Sequence, residues 1–551
     1  MVRAFALLEL RTKAPRRSSP AGGKKLIGKG QVHRTGRPGT GRRLLFAVRY
    51  PVASRKGVYG ERMEVVESRE GALSACSGEG TRRVVVDAAT LSADVRRSAY
   101  GEVLAARLLT PFTAEGDLRA LRSLLRAYVR RSVEDSLVDI RRDYGRAAEE
   151  LLIDPSHFVL RKVRGLVALY PPLWRVFWWA SRSSQDRELL RRVADNFRPV
   201  LDELVDEGRL AADGSTGLYR LARGTGREEV GASMGAGLVR RLESLLIPGR
   251  LGAGLPRLVF EEALEGGWEA MVPPDPEEAL SIRTETGLQP LSFEGDVAEF
   301  VRRLCGGGVD SVRVRRAGWL FNSTYLVEVE QGGDVRRLFV KRYLAMTDVK
   351  WVAAKLWSFP LRNFHLSPAA RLSNELFFIS YLRERGLKTP HVFGVSWRKR
   401  VLLEGAIQGS SLRELWTSEG VEAGLLEEVT VRSGEAVARA HSLGVTLGDC
   451  KPDNVMVDRR GQVWLVDLEQ ASLGGDRAWD VAEFVLFTAR YLDLRRSREF
   501  ARLFGEGYLR HGNPKDVERA LDPKYVLAMV PVSPVWTQVA ALEGLRSALR
   551  A

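Results

Sequence analysis

Cysteine is scarce in this chain of 551 residues, with only Cys76, Cys305 and Cys450. No two of them share a short paired spacing, which argues against a disulfide framework and against a zinc site. Long apolar runs are missing as well. The best candidate, residues 165–180, is interrupted by Pro171, Pro172 and Arg175, so no transmembrane segment is expected. The N-terminal AFALLEL stretch is too short for a signal peptide and carries Glu9. Together these absences predict a cytoplasmic location.

Acidic residues are nearly absent from one region only. Residues 1–57 hold 15 Lys and Arg against one acidic residue, Glu9, whereas the other 494 residues carry 70 basic and 68 acidic side chains. The net charge of +16 therefore belongs to the leader and not to the body. Residues 1–60 lack the apolar periodicity needed to bury a core and are expected to be a basic, disordered leader. The leader reads as an arm for nucleic acid or an anionic membrane, as an inert tail, or as residues upstream of a true start at Met63. With 45% hydrophobic and 28% charged residues, the remainder suits two to four globular domains.

Several patterns organise that remainder. VVVDA at 84–88 reads as a strand, and residues 117–152 have apolar positions three and four apart, as in a helix. Residues 165–179 concentrate Tyr170, Trp174, Phe177, Trp178 and Trp179, which reads as core or as an interfacial membrane contact. Residues 187–223 read as helix, turn and hairpin around DGSTG, similar to the last helix and wing of a winged helix. Asp202, Glu203, Asp206 and Glu207 on that helix argue against a DNA duplex lying there. MVPPDPEEA, with Pro273, Pro274 and Pro276, reads as a linker, so residues 61–285 are assigned to one mostly helical domain. Strand patterns follow at 311–315, 325–330 and 338–341, then a helix near 371–385, then mostly helix from Leu412.

The most informative stretch is LGDCKPDNVMVDRRGQVWLVDLEQA, residues 447–471. Asp449, Lys451, Asn454 and Asp467 stand in it around two short β-like runs. Two aspartates brought together by a hairpin can serve one reacting phosphate, one at the attacking hydroxyl and one at a metal. DCKPDN is close to the DLKPEN of eukaryotic-type Ser/Thr kinases, and residues of roughly 300–500 resemble the protein-kinase-like superfamily. The resemblance implies an α+β, bilobal protein-kinase-like fold with an N-lobe at 290–405 and a C-lobe at 406–551. It implies ATP and magnesium as cofactors and a serine/threonine-protein kinase activity.

Carried over residue by residue, Asp449 resembles the catalytic base and Lys451 the cation at the γ-phosphate. Asn454 and Asp467 resemble the magnesium ligands, Lys341 the lysine at the α/β-phosphates, and Glu375 its ion-pair partner. The nucleotide loop falls at AGWLFNST, residues 317–324, where Gly318, Asn322 and Ser323 are the expected contacts, with Thr324 beside them. Only one glycine stands there, where the family usually has three. Glu404 and Ala406 fall at the interlobe hinge, where backbone groups would meet adenine. Asp480 resembles the aspartate that braces the catalytic loop.

Departures bear on the subclass. Leu447 replaces the usual His or Tyr, and Glu469 replaces the DFG glycine. Asp480 follows Asp467 by only thirteen positions, too few for a peptide-binding activation segment. These features resemble RIO, lipopolysaccharide-core and aminoglycoside kinases, as does a basic-aromatic insert after Lys341 with Trp351, Trp357 and Phe364. A protein Ser/Thr hydroxyl is the first expected acceptor. A small-molecule or glycolipid hydroxyl is the alternative, and a pseudokinase or RNP-assembly factor that binds ATP is the third.

Overall fold

A computed structural model describes residues 43–54, 57–67, 73–78, 81–180, 184–224, 262–264, 274–295, 299–302, 310–316, 323–344, 365 and 367–551. These residues form an α+β protein that divides into two compact units. The first unit comprises Met1–Ser136, Pro155–Leu204 and Gly226–Pro276, and the second Leu137–Asp154, Val205–Thr225 and Glu277–Ala551.

The first unit is built on strands β1 (Arg43–Ser54), β2 (Gly57–Glu67), β3 (Leu73–Gly78), β4 (Thr81–Asp87) and β5 (Thr113–Gly116). They form one sheet in the order β3-β4-β2-β1-β5. Alternation in β1, interrupted by the buried Ala47, explains its place. Phe46, Val48, Tyr50 and Val52 are at most 1% exposed, while Arg43 and Arg49 point to solvent. The leader expected over 1–60 is therefore corrected from residue 43 onward: Arg43 and Arg49 lie on the wet face of a strand. Residues 1–42 lie outside the described residues. Helices α1 (Ala88–Arg97), α2 (Leu118–Tyr144), α3 (Pro155–Leu169), α4 (Ser184–Asp195) and α5 (Arg198–Asp206) complete the region. Trp174, Phe177 and Trp179 are buried in its core, as the first of the two readings held.

The region 61–285 is mostly helical among its described residues, as expected, but a five-stranded sheet runs through it and residues 137–154, 205–225 and 277–285 belong to the second unit. The helix expected over 117–152 also ends early. Gly145, at φ 57°, breaks it after Tyr144, and the chain turns through a 3-10 segment into β6 (Leu151–Ile153).

In the second unit β7 (Leu210–Asp213) and β8 (Leu218–Leu221) form the hairpin read around DGSTG. The hairpin is not a free wing. Together with β6, β9 (Leu280–Thr284) and β10 (Gly287–Pro290) it makes a sheet in the order β10-β9-β6-β8-β7. The expected linker residue Pro276 is buried and opens the 3-10 turn that leads into β9.

A second sheet, in the order β11-β12-β13-β15-β14, contains β11 (Ser311–Arg316), β12 (Ser323–Gln331), β13 (Asp334–Arg342), β14 (Val392–Ser396) and β15 (Val401–Gly405). One face packs Val327, Val329, Leu338, Val340, Val401 and Leu403 against Phe300 and Val301. Period-two alternation then forces Phe339, Lys341, Leu402 and Glu404 onto the other face.

Helix α6 (Pro368–Arg383) follows β13 in the chain, with Leu372, Leu376, Phe377, Phe378, Ile379 and Leu382 buried around its circumference. After β15 come β16 (Gly409–Ser411), α7 (Leu412–Thr417), α8 (Ala423–Ser442), β17 (Val445–Thr446), β18 (Val455–Asp458), β19 (Val463–Leu465) and β20 (Ser472–Leu473). Helices α9 (Arg477–Thr488), α10 (Leu494–Leu509), α11 (Pro514–Ala520), α12 (Pro523–Met529) and α13 (Val535–Arg550) end the chain. Glycine lets α8 and α10 pack backbone to backbone: a Cβ on Gly434 would sit 2.2 Å from the Phe504 carbonyl oxygen. Among the described residues no helix is long and apolar enough to cross a membrane.

Candidate active site

Lys341 occupies the cleft face of β13. Its ammonium donates to Glu375 of α6 at 2.9 Å and to Asp467 at 3.4 Å, with Glu404 at 3.7 Å. Burial disfavours the ammonium charge, but Glu375, Glu404 and Asp467 outweigh it and raise the Lys341 pKa well above its usual value. The ion pair expected between Lys341 and Glu375 is therefore formed. Glu375 is fully buried, and burial pushes its carboxyl up to about 8 against the pull of Lys341.

Contacts on the opposite side of α6 hold it in place. The Ser373 hydroxyl donates to the Tyr144 carbonyl at 2.7 Å and accepts the Ala147 N–H at 2.9 Å. The Arg223 guanidinium lies over the rings of Phe377 and Tyr381 and pairs with Glu150 at 2.6 Å and with Glu384. Arg146 lies over Phe377 and Phe378. Sequence reasoning missed Ser373, Tyr144 and Arg223, since no local pattern connects Ser373 with Tyr144 or Arg223 with Glu150 and Glu384, partners far apart in the chain.

The loop of residues 447–454 is equally well anchored. Asp480, fully buried at the start of α9, accepts the N–H groups of Leu447 at 2.6 Å and Gly448 at 2.9 Å. It also pairs with His441 at 3.0 Å, and the other ring nitrogen of His441 lies 2.7 Å from the Tyr508 hydroxyl. Asp480 thus has the bracing place expected of it, and His441 contributes to the bracing. Glu483, unread in the sequence, accepts the Cys450 N–H and the Trp479 indole N–H, both at 2.9 Å. Cys450 is 2% exposed and packs in the core.

That anchoring aims the loop's polar side chains. The Lys451 ammonium donates to Asp449 at 2.7 Å. Burial opposes the Lys451 charge, yet Asp449 and Asp467 raise its pKa above the usual lysine value. The Asn454 amide nitrogen donates to the Asp449 carbonyl at 2.8 Å and to its carboxylate at 3.2 Å, which turns the amide oxygen away from Asp449. Asp449, Lys451, Asn454 and Asp467 line one small recess. Asp467 has φ 60°, a left-handed conformation that Asp adopts more readily than most residues. Behind it, burial and then Asp467 push the Glu469 carboxyl up to about 8, with Arg371 3.6 Å away opposing them.

A cleft of about 590 Å³ joins the two groups of residues. Its lining includes Lys341, Glu404, Ala406, Asn454, Asp467 and Glu469. Two hinge expectations change here. Glu404 enters the cleft by its side chain, which is 2% exposed and turned toward Lys341. The Ala406 N–H donates to the Arg337 carbonyl at 3.0 Å, so it is not free for adenine. Gly318 and Asn322 lie outside the described residues, as do Trp351, Trp357 and Phe364 of the insert. Ser323 opens β12, and its side chain is outside the described residues.

Among the described residues no three His, Cys, Asp or Glu side chains converge into a metal cage. The Asp467 carboxylate and Asn454 amide suit a hard cation instead. Magnesium takes one or two protein oxygens and completes its shell with water and phosphate. No protein-family model matches the chain, and no curated protein matches it.

Proposed function

We propose that the chain is an ATP- and magnesium-dependent phosphotransferase with a hydroxyl acceptor, an atypical serine/threonine kinase on a bilobal protein-kinase-like fold. One observation carries the reading: the Lys341 ammonium lies 3.4 Å from Asp467, although 126 positions separate them. That approach joins the lysine–glutamate pair to the loop of Asp449, Lys451 and Asn454 in one cleft.

In this reading Lys341 holds the α/β-phosphates and Asp467 and Asn454 hold the magnesium, which supplies charge neutralisation at the phosphates when bound. Asp449 accepts or orients the proton of the attacking hydroxyl. Lys451 neutralises charge on the phosphoryl group in transfer and keeps Asp449 in place.

One feature favours a small-molecule or glycolipid acceptor as the second reading. The segment after Asp467 folds straight back: β20 pairs with β17, the Gly474 N–H donates to the Gly444 carbonyl at 2.7 Å, and α9 begins at Arg477. No length is left there for a peptide platform.

ATP with magnesium is expected to raise the melting temperature, and Asp467→Ala to abolish that rise. No rise in the unsubstituted protein would refute both kinase readings. In lysate labelled with γ-radiolabelled ATP, label on protein supports the first acceptor and label extracted into organic solvent the second. A melting shift without label on any acceptor means binding without transfer. Labelling unchanged by Asp449→Ala would remove Asp449 as the base.

A further inference from the structure

The lysine of this cleft faces more carboxylate than one ion pair needs. Lys341 from β13 meets Glu375 from α6, Asp467 after β19 and Glu404 from β15, at 2.9, 3.4 and 3.7 Å. Glu375 and Glu404 are 0% and 2% exposed, so water does not supply their hydrogen bonds. Each carboxyl turns one oxygen toward Lys341, Oε1 of Glu375 and Oε2 of Glu404. Each keeps a second oxygen, Oε2 of Glu375 and Oε1 of Glu404, that meets no N–H or O–H donor among the described residues. The two carboxyls thus converge on one ammonium, and both of their second oxygens are buried.

Two carboxylates converging on one ammonium, both ionised and both buried, repel each other and leave two acceptors unsatisfied. One proton removes both penalties. Glu375 then donates from Oε2 to Glu404, and both remaining oxygens face Lys341. We propose that Glu375 and Glu404 share a single buried proton, and that Glu404 acts through that hydrogen bond as a positioning residue for Lys341. Other charged or titratable groups face the trio: Asp467 and Glu469 beyond β19, Arg371 on α6 and Tyr343 after β13. The raised carboxyl of Glu375 agrees with a held proton.

A plain counter-charge role for Glu404 makes a different prediction, and isosteric Glu404→Gln separates the two. Its amide can donate to Glu375 and still present oxygen to Lys341, but it carries no charge. The readout is the rate at which Lys341 of the full chain, without nucleotide, is acetylated by N-hydroxysuccinimidyl acetate, followed by mass spectrometry. With a shared proton, Glu404→Gln stays within about twofold of the unsubstituted protein, while Glu404→Leu reacts about tenfold faster, the factor for a weakening of roughly 1.4 kcal/mol. Acceleration in Glu404→Gln of fivefold or more overturns the shared proton in favour of the counter-charge. If Glu404→Leu does not fold, Glu404→Gln decides alone.

A second arm rests on the nucleotide reading above. Affinity for ATP with magnesium is expected to survive in Glu404→Gln and to fall about tenfold in Glu404→Leu. If no form of the protein binds ATP, that reading fails, while the acetylation rates still decide the role of Glu404.

Discussion

The contact most worth breaking is the one farthest from the chemistry, the Ser373 hydroxyl on the outer side of α6. Ser373→Ala removes a donor to the Tyr144 carbonyl and an acceptor for the Ala147 N–H, at 2.7 and 2.9 Å. Both partners are main-chain groups that water reaches poorly, since Ser373 and Ala147 are 3% and 0% exposed. Leaving a buried polar group unsatisfied costs about 1–3 kcal/mol, so losing both interactions costs about 2–6 kcal/mol. The void left by one oxygen adds little. The chain has two compact units, so a single global unfolding energy is poorly defined and a local measurement is the better assay. Hydrogen exchange followed by mass spectrometry reports the opening of α6 directly. A loss of about 2–6 kcal/mol corresponds to exchange about 30- to 25,000-fold faster in α6 and in residues 144–150. Exchange changed by less than about threefold would refute the idea that this contact holds α6. Since α6 carries Glu375, affinity for ATP with magnesium should fall in parallel, by about tenfold or more.

Two further outcomes follow from the same geometry. Asp480→Asn replaces one acceptor oxygen facing the Leu447 and Gly448 N–H groups by an amide donor; at about 1.5–3 kcal/mol for a hydrogen bond to a charged group, phosphoryl transfer should drop at least tenfold while Lys341 stays paired with Glu375. Unchanged transfer would remove Asp480 as a brace. Glu469, with its carboxyl pushed up to about 8, holds a proton in the fold that it loses near 4.5 when unfolded. Its contribution to stability is therefore complete below about pH 4.5 and is lost as pH rises through about 8, a change of a few kcal/mol. Denaturant midpoints measured from pH 5 to 9 should fall less in Glu469→Gln than in the unsubstituted protein, and equal slopes would contradict this.

The parts of the site legible in the sequence are those whose spacing along the chain is itself the geometry. Asp449, Lys451 and Asn454 lie within six residues, and a short hairpin returns Asp467 to them, so local pattern alone identified the group. Lys341 and Glu375 required only the end of a strand and the next helix. Glu404 was assigned to the hinge because its position in the chain was read and its face was not. The alternation in VLLEG and the pairing of Phe339 with Glu404 set that carboxyl beside Lys341, and pairing is a long-range fact. The strand β1 was also there to be read, since LLFAVRYPV alternates at period two, but the charge of the leader obscured it. Ser373, Arg223 and Glu483 had no local signal, because each acts on main chain or rings supplied by distant segments.

What those distant segments do constrains how such a site can be controlled. Moving α6 away from Lys341 would break the two Ser373 contacts, the Arg223 pairs with Glu150 and Glu384, and the Glu375 pair itself. Even at about 1 kcal/mol for each of the first four and nothing for the rest, the displaced arrangement would hold only about a thousandth of the population. An effector would need a differential affinity of several kcal/mol to invert that ratio. The segment after Asp467, the other element that could move, is tied to β17 within a few residues. Lys341 and Asp467 are already 3.4 Å apart, so under the proposed function the first step on binding a polyphosphate would be the exchange of that ion pair for phosphate and cation. Under the proposed function, control of a cleft assembled in this way would fall on access to it and on the acceptor, more than on assembly of the site residues.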